Sequence, residues 1–208
     1  MKYLVTGSAG LIGNQIVHDL EKSGEIVYSS YNNVKPVNGI PIKLNLLNLE
    51  DIRKTFQKIQ PDIIIHSAAL TDVEKCEIEL ELANSINVKA TEVIAKEVEK
   101  TNSYLMYIST DYIFDGKKGL YKETDSINPL NNYGKTKLLG EKIIENNTSK
   151  WSIVRTSTPF GVHSLKKTFP VWVYENLKNN KKINVLEDQF TSPTYVPNLS
   201  KMILEIVS

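Results

Sequence analysis

Tyr133 and Lys137 stand four residues apart in YGKTK, a spacing that on a helix puts both side chains on one face with their ends adjacent. A protonated lysine there favours the phenolate and draws a tyrosine down from its ordinary pKa of about 10. A shift of roughly three units, about 4 kcal/mol, brings the phenol near neutrality, where a general acid works well. The spacing alone proves little. With 10 tyrosines and 23 lysines among 208 residues, it is expected about once by chance, and it occurs three times. Tyr31 with Lys35 falls in a polar stretch and Tyr174 with Lys178 on a surface-type helix. Tyr133 and Lys137 instead open a helix shortly after a strand that ends Ser109-Thr110-Asp111. Thr110, at that strand end, can hydrogen-bond an oxygen that becomes negative when hydride reaches a carbonyl carbon. Thr110, Tyr133 and Lys137 are therefore read as a carbonyl-reducing set.

Such a set needs a frame. Short apolar runs rich in β-branched residues recur at Lys2 to Thr6, Glu25 to Ser30, Ile40 to Leu44, Asp62 to His66, Ser103 to Ser109 and Trp151 to Thr156. Between them lie helical patterns at about 11–23, 73–100, 132–147 and 166–179, and one capped by Asn48 that runs through Leu49, Ile52, Phe56 and Ile59 to Pro61. This alternation predicts an α/β fold, a Rossmann-like doubly wound parallel sheet covered on both faces. The looser stretches Asn32 to Gly39, Asp115 to Asn132 and Glu187 to Pro197 lie where such sheets bind ligands.

The turn LVTGSAGLIG places Gly7, Gly10 and Gly13 between the first strand and the first helix. A pyrophosphate needs this arrangement, because glycines let the backbone approach closely and a helix N-terminus offers free amides. The predicted cofactor contacts there are Gly7, Ala9, Gly10, Leu11, Ile12 and Gly13. About 20 residues on, where NAD folds carry an acid for the ribose 2′-hydroxyl, the chain reads YSSYNNVK from Tyr28 to Lys35, with no acid. Ser29, Ser30 and Asn32 can hydrogen-bond a 2′-phosphate, with Lys35 adding charge. NADPH is expected, with NADH tolerated.

Composition narrows the partners. Twenty-five basic and 24 acidic residues are mixed along the chain, for a net charge of +1, so no footprint for nucleic acid or an anionic membrane is expected. Cys76 is the only cysteine, which excludes an intramolecular disulfide and fits a reducing, cytoplasmic setting. MKYLVTGSAG breaks into glycine after five apolar-rich residues, as a core strand does rather than a signal peptide or membrane span. His18, His66 and His163 lack metal-ligand spacing; no metal is expected, and His66 reads as a satisfied core residue. One domain over 1–208 is the expectation, with substrate-lobe elements around 157–197.

Through VTGSAGLIG, DIIIHSAALTDVEKCE, NSINVKAT, ISTDYIFDG, YGKTKLLGE, IVRTS and DQFTSPT, in that order, the sequence resembles the extended short-chain dehydrogenase/reductase family and its dTDP-4-dehydrorhamnose reductase group. The resemblance runs over nearly the whole chain. It implies NAD(P)H-dependent reduction of the 4-keto group of a dTDP-6-deoxy-hexulose to give dTDP-L-rhamnose, with a dTDP-sugar as the small-molecule substrate and a homodimer as a candidate assembly. It also implies that Tyr133 donates the proton and also contacts the cofactor, that Lys137 lowers its pKa and holds the cofactor ribose, and that Thr110 binds the carbonyl. Ala68, Ala69 and Thr71 would line the cofactor, Asn45 and Leu46 would lie by the adenine, and Asn87 matches a family asparagine.

Four features depart from the family's pattern. Asn45 stands where an aspartate is usual, Thr158 where a tryptophan helps form the sugar site, and Thr191 where DQxGxPT has glycine. The relatives continue for several dozen residues past Ser208, so the substrate lobe is expected to be small and incomplete. Two other readings follow from related proteins: a non-catalytic dinucleotide-binding regulatory subunit like that of methionine adenosyltransferase, and a sugar-nucleotide epimerase. Dehydratases of this scaffold place an Asp-Glu pair after the threonine, and Asp111 is followed here by Tyr112.

Overall fold

The computed structural model describes residues 1–162, 167–188 and 190–208. Each apolar run becomes a strand and each periodic segment a covering helix. In chain order these are β1 (Lys2–Thr6), α1 (Leu11–Lys22), β2 (Ile26–Tyr31), β3 (Ile40–Lys43), α2 (Leu49–Ile59) and β4 (Ile63–His66). Next come α3 (Val73–Ile78), α4 (Leu80–Asn84), a π turn (Ser85–Lys89), α5 (Ala90–Thr101), β5 (Tyr104–Thr110), a 3-10 turn (Asp111–Ile113) and α6 (Asn132–Asn147). The chain finishes with β6 (Trp151–Thr156), β7 (Pro159–Phe160), α7 (Phe169–Lys178), β8 (Thr194–Tyr195) and α8 (Val196–Val207).

All six long strands pair in parallel in the order β3-β2-β1-β4-β5-β6. This doubly wound order reverses between β1 and β4, and ligands of open α/β sheets bind at that switch point. Side-chain alternation explains the two layers. Leu4, Ile64, Leu105 and Tyr107 face α2, α5 and α6 through Ile52, Phe56, Val93, Ile94 and Ile144. Their neighbours Tyr3, Val5, Ile63, Ile65, Met106 and Ile108 face α1 and α8 through Ile16, Val17, Leu20, Leu199 and Ile203.

Two expectations are revised. The segment read as one helix over 73–100 is broken: Glu79, at φ −110° and ψ 58°, separates α3 from α4, and the π turn then inserts an extra residue before α5. Helix α8 lies beyond the segments predicted as helical, although Val196, Leu199, Ile203 and Val207 carry a helical period around Pro197. Ser200 Oγ donates to Asp19 Oδ2 at 2.7 Å and ties this helix to α1. Lys166, where the predicted 166–179 helix begins, His163 and Gln189 of DQFTSPT lie outside the described residues. Among the described residues, no helix is long and apolar enough to cross a membrane.

Candidate active site

The glycine turn sits at the switch point. Gly7 adopts φ +68°, and a Cβ there would lie 2.9 Å from the Ala68 backbone, so both conformation and space require glycine. A Cβ on Gly13 would lie 2.4 Å from Gly7 O and 2.9 Å from Ser67 Oγ. That closeness lets α1 begin directly against the turn. No side chain caps α1 at Gly10 and no acid stands in its first turn, whereas Asn48 and Asn131 cap α2 and α6. The first amides of α1 are thus left for an anion. Gly13→Ala is expected to destabilise the fold by about 1–3 kcal/mol, since the obstructing atom is backbone. It should also weaken NADPH binding at least about tenfold, measurable by calorimetric titration.

Beside this turn a cavity of ≈ 200 Å³ is lined by Gly7, Ser30, Asn45, Leu46, Ala68 and Ala69, all named from sequence. Tyr31, Asn32, Leu44, Leu47 and Ile86 complete the wall. Leu44 and Leu47 flank the named pair in the chain, but Ile86 arrives from the π turn and carried no local signal. The dimensions and chemistry of this wall fit an adenosine moiety, with Ser30, Tyr31, Asn32 and Asn45 as its polar side chains. Ser29 points elsewhere: its hydroxyl is buried without a partner and lies where a Cβ on Gly39 would fall. Lys35 is exposed in the loop, and Thr71 is exposed beyond the cavity. Ala9, Gly10, Leu11 and Ile12 lie along the turn and first helix residues, outside the cavity wall.

His66 anchors the turn from below. Ala68 N donates to Thr6 Oγ1 at 3.2 Å, and Thr6 Oγ1 lies 2.7 Å from His66 Nδ1. His66 Nε2 is 3.1 Å from Thr91 Oγ1, which donates to Asn87 O at 2.8 Å. Because the Thr91 proton is already committed, Nε2 carries the imidazole proton and Nδ1 accepts from Thr6. Burial, then the nearby Lys137 charge, pushes the His66 pKa down to about 3. An unfolded histidine titrates near 6.5, so between these values only the unfolded state takes the proton, and stability falls as pH drops from 6.5 towards 3. In urea melts, wild type should lose up to about 1.4 kcal/mol per pH unit across that window relative to His66→Gln.

Asn87, at the π turn, joins the two halves of the site. Its side chain accepts from Leu70 N at 2.8 Å and donates to Leu70 O at 3.1 Å, while the same amide nitrogen reaches Thr136 Oγ1 at 3.1 Å. Thr136 in turn donates to Tyr133 O at 2.9 Å. Asn131 caps Gly134 at 2.7 Å, and Glu77 holds Asn132 through both its backbone and its side chain. Gly134 allows close contact, since a Cβ there would lie 2.2 Å from Tyr112 O. These contacts fix where Tyr133 starts the helix.

Thr110 is buried at the end of β5, accepts from Tyr112 N at 3.2 Å and donates to Asp111 at 3.3 Å. Asp111 thus braces the threonine. Tyr133 packs edge-on to Tyr112. Burial pushes the Tyr133 phenol up to about 12 against the opposing pull of the Thr110 hydroxyl, with Asp111 and Cys76 adding to the rise. This differs from the expected lowering by Lys137. The Lys137 ammonium donates to Ile108 O at 2.7 Å and lies 3.8 Å from the centre of the Tyr107 ring. Burial draws Lys137 down to about 7, with Glu141 resisting. Desolvation is the largest influence on both groups.

Near the C-terminus, the two departures Thr158 and Thr191 meet through their hydroxyls, and Ser157 Oγ lies 3.2 Å from Thr191 Oγ1. Thr158 is at φ 39°, a costly conformation for a β-branched residue. Thr194 N donates to Thr158 O at 3.2 Å, and β7 pairs with β8.

A family model described as the RmlD substrate binding domain matches residues 1–208. The chain is 32% identical over 208 residues to dTDP-4-dehydrorhamnose reductase of Aggregatibacter actinomycetemcomitans, covering 99% of this chain and 67% of the relative. It is also 32% identical over 206 residues to methionine adenosyltransferase 2 subunit beta of Xenopus tropicalis, covering 98% and 61%. A crystal structure of dTDP-4-dehydrorhamnose reductase from Bacillus anthracis in complex with NADP superposes with a TM-score of 0.87 at 32% identity, covering 99% of this chain and 70% of that one. The chain thus spans about two thirds of the length of these relatives.

Proposed function

This chain belongs to the RmlD substrate binding domain family, and from that premise we propose that it is a dTDP-4-dehydrorhamnose reductase. In this reading it is an NADPH-dependent oxidoreductase that converts the 4-keto group of a dTDP-6-deoxy-hexulose to the alcohol of dTDP-L-rhamnose. The observation that supports it is Thr110 at the end of β5 within reach of the Tyr133 phenol, with Lys137 one turn along α6 anchored to Ile108 O of the same strand, in a fold that also carries a glycine turn and an uncapped helix N-terminus. The cradle that Cβ atoms would fill fits a dinucleotide. The turn from Gly7 to Gly13 would hold its pyrophosphate, Asn45, Leu46, Ala68 and Ala69 its adenosine, and Ser30 with Asn32 a 2′-phosphate, with NAD as the weaker ligand.

When bound, the reduced nicotinamide supplies the hydride that the carbonyl carbon accepts. Thr110 holds the carbonyl oxygen and Tyr133 gives that oxygen its proton, leaving an alcohol and a phenolate. Burial keeps Tyr133 protonated at neutral pH. Transfer still runs downhill, because an alkoxide is about as basic as hydroxide, whose conjugate acid has a pKa of roughly 15.7. Lys137 supplies cationic charge on the same helix face as the phenolate that forms. Residues 157–197, with the Thr158–Thr191 contact, are assigned to the sugar-nucleotide lobe within one domain. The test is oxidation of NADPH and NADH with dTDP-4-keto-6-deoxy-L-lyxo-hexulose, expected to depend on the sugar and to favour NADPH.

The similarity to methionine adenosyltransferase 2 subunit beta carries a second reading, a dinucleotide-binding subunit that acts on a partner without turnover. Under that reading the protein binds NADP, consumes none with the keto sugar, and alters the kinetics of a synthetase that it accompanies. Elimination is disfavoured, because Tyr112 follows Asp111 where dehydratases of this scaffold carry an Asp-Glu pair after the threonine.

A further inference from the structure

Behind the proposed site, and resting on that assignment of Lys137, lies an ion pair between the buried Glu141 and the partly buried Arg155. Glu141 is one helical turn beyond Lys137 on α6, and the two residues are 1% and 2% exposed. Its carboxylate is gripped from β6 by Arg155, with Nε 3.1 Å from Oε1 and Nη2 2.8 Å from Oε2. Arg155 is held in turn over the Phe114 ring, 5.7 Å from its centre. Residues four apart on a helix face one another, so Glu141 is the nearest acid to the Lys137 ammonium on that helix.

Among the described residues, the other groups around Lys137 do not supply a countercharge. His66 on β4 is neutral. Tyr107 on β5 lies beneath the ammonium, with burial raising its pKa, and Tyr133 on α6 is a neutral phenol. Ile108 offers only a carbonyl. Arg155 reaches the region as a cation whose charge is turned onto Glu141.

We infer that Glu141 and Arg155 act together as a positioning pair that sets the protonation of Lys137, the carboxylate holding its proton on and the guanidinium limiting that pull. A bidentate pair suits this role because it fixes the carboxylate in place. Removing either partner of a purely structural pair would destabilise the fold without a preferred direction in the lysine titration; a tuning pair moves that titration in opposite senses.

The test follows the 13Cε signal of Lys137 against pH in lysine-labelled protein, with Lys137→Arg used to assign the signal. Glu141→Gln is expected to lower the midpoint by about one unit and Arg155→Met to raise it. The double variant, which removes carboxylate and guanidinium together, should fall between the two and below wild type, because the carboxylate is the nearer charge. It provides the comparison if a single variant does not fold. Midpoints that stay in place, or a double variant that titrates above wild type, overturn the inference. The titration needs no turnover: if midpoints move as expected and no keto sugar is reduced, the reductase reading fails alone. If reduction occurs and the pH profile of kcat/KM ignores both changes, the tuning fails alone.

Discussion

Tyr133→Phe is expected to lower kcat by about 10²- to 10⁴-fold, the usual contribution of a positioned general acid. Affinity for NADPH should stay within about threefold, because the cradle is built from the Gly7 to Gly13 turn and the Ala68 loop rather than from this phenol. The melting temperature should change by no more than about 2 °C, since the start of α6 is held by Asn131, Glu77 and Thr136 and not by the hydroxyl. Steady-state kinetics beside calorimetric binding and a thermal melt separate these effects. A large loss of kcat with intact binding marks a proton donor; equal loss of binding and stability marks a structural tyrosine.

Lys137→Met should move activity and stability in opposite directions. The ammonium is buried, and its folded pKa of about 7 lies well below the 10.5 of a free lysine. Between those values the unfolded chain holds a proton that the folded chain has lost, so stability rises with pH across that window. The corresponding cost is fully present below pH 7 and amounts to roughly 3–5 kcal/mol before the bond to Ile108 O and the contact with the Tyr107 ring are counted. Methionine fills similar space without the charge. The variant is expected to melt about 3–8 °C higher at pH 6, with the gap closing towards pH 10. Turnover should fall at least about 10²-fold, because no cation would then face the phenolate. Melts of both proteins from pH 6 to 10 check the first part, and kinetics check the second. Such a trade is expected where a catalytic group is held against its own solvation.

The sheet was legible because its strands are short and alternate cleanly. Leu4 against Val5, Ile64 against Ile65 and Leu105 against Met106 assign opposite faces by period alone. The helix α8 was equally legible in Val196, Leu199, Ile203 and Val207, yet went unread behind the loop ending in Pro197. The π turn had no such signature. An inserted residue leaves the apolar period of Val73 to Thr101 almost intact, and only the backbone reveals that Asn87 has been swung towards Leu70 and Thr136.

Residue identities at the site were readable from local context, while their electrostatics were not. The i,i+4 relation of Tyr133 and Lys137 suggested a lowered tyrosine, because sequence shows proximity and hides burial. Desolvation acts on both groups and has the larger effect on each. Glu141 and Arg155 illustrate the same limit. They are 14 residues apart on different elements, and neither period nor motif signals that they meet.

Hydride delivery to a sugar carbonyl, with the proton drawn from Tyr133, is the step that defines the proposed reaction. Its most direct test uses NADPH deuterated at the transferring position of the nicotinamide, incubated with the 208-residue chain and dTDP-4-keto-6-deoxy-L-lyxo-hexulose. The expected result is one equivalent of NADPH consumed per sugar, one deuterium at C4 of the product, and no label in the same interval with Tyr133→Phe. Protein that binds NADPH yet leaves C4 unlabelled would contradict it.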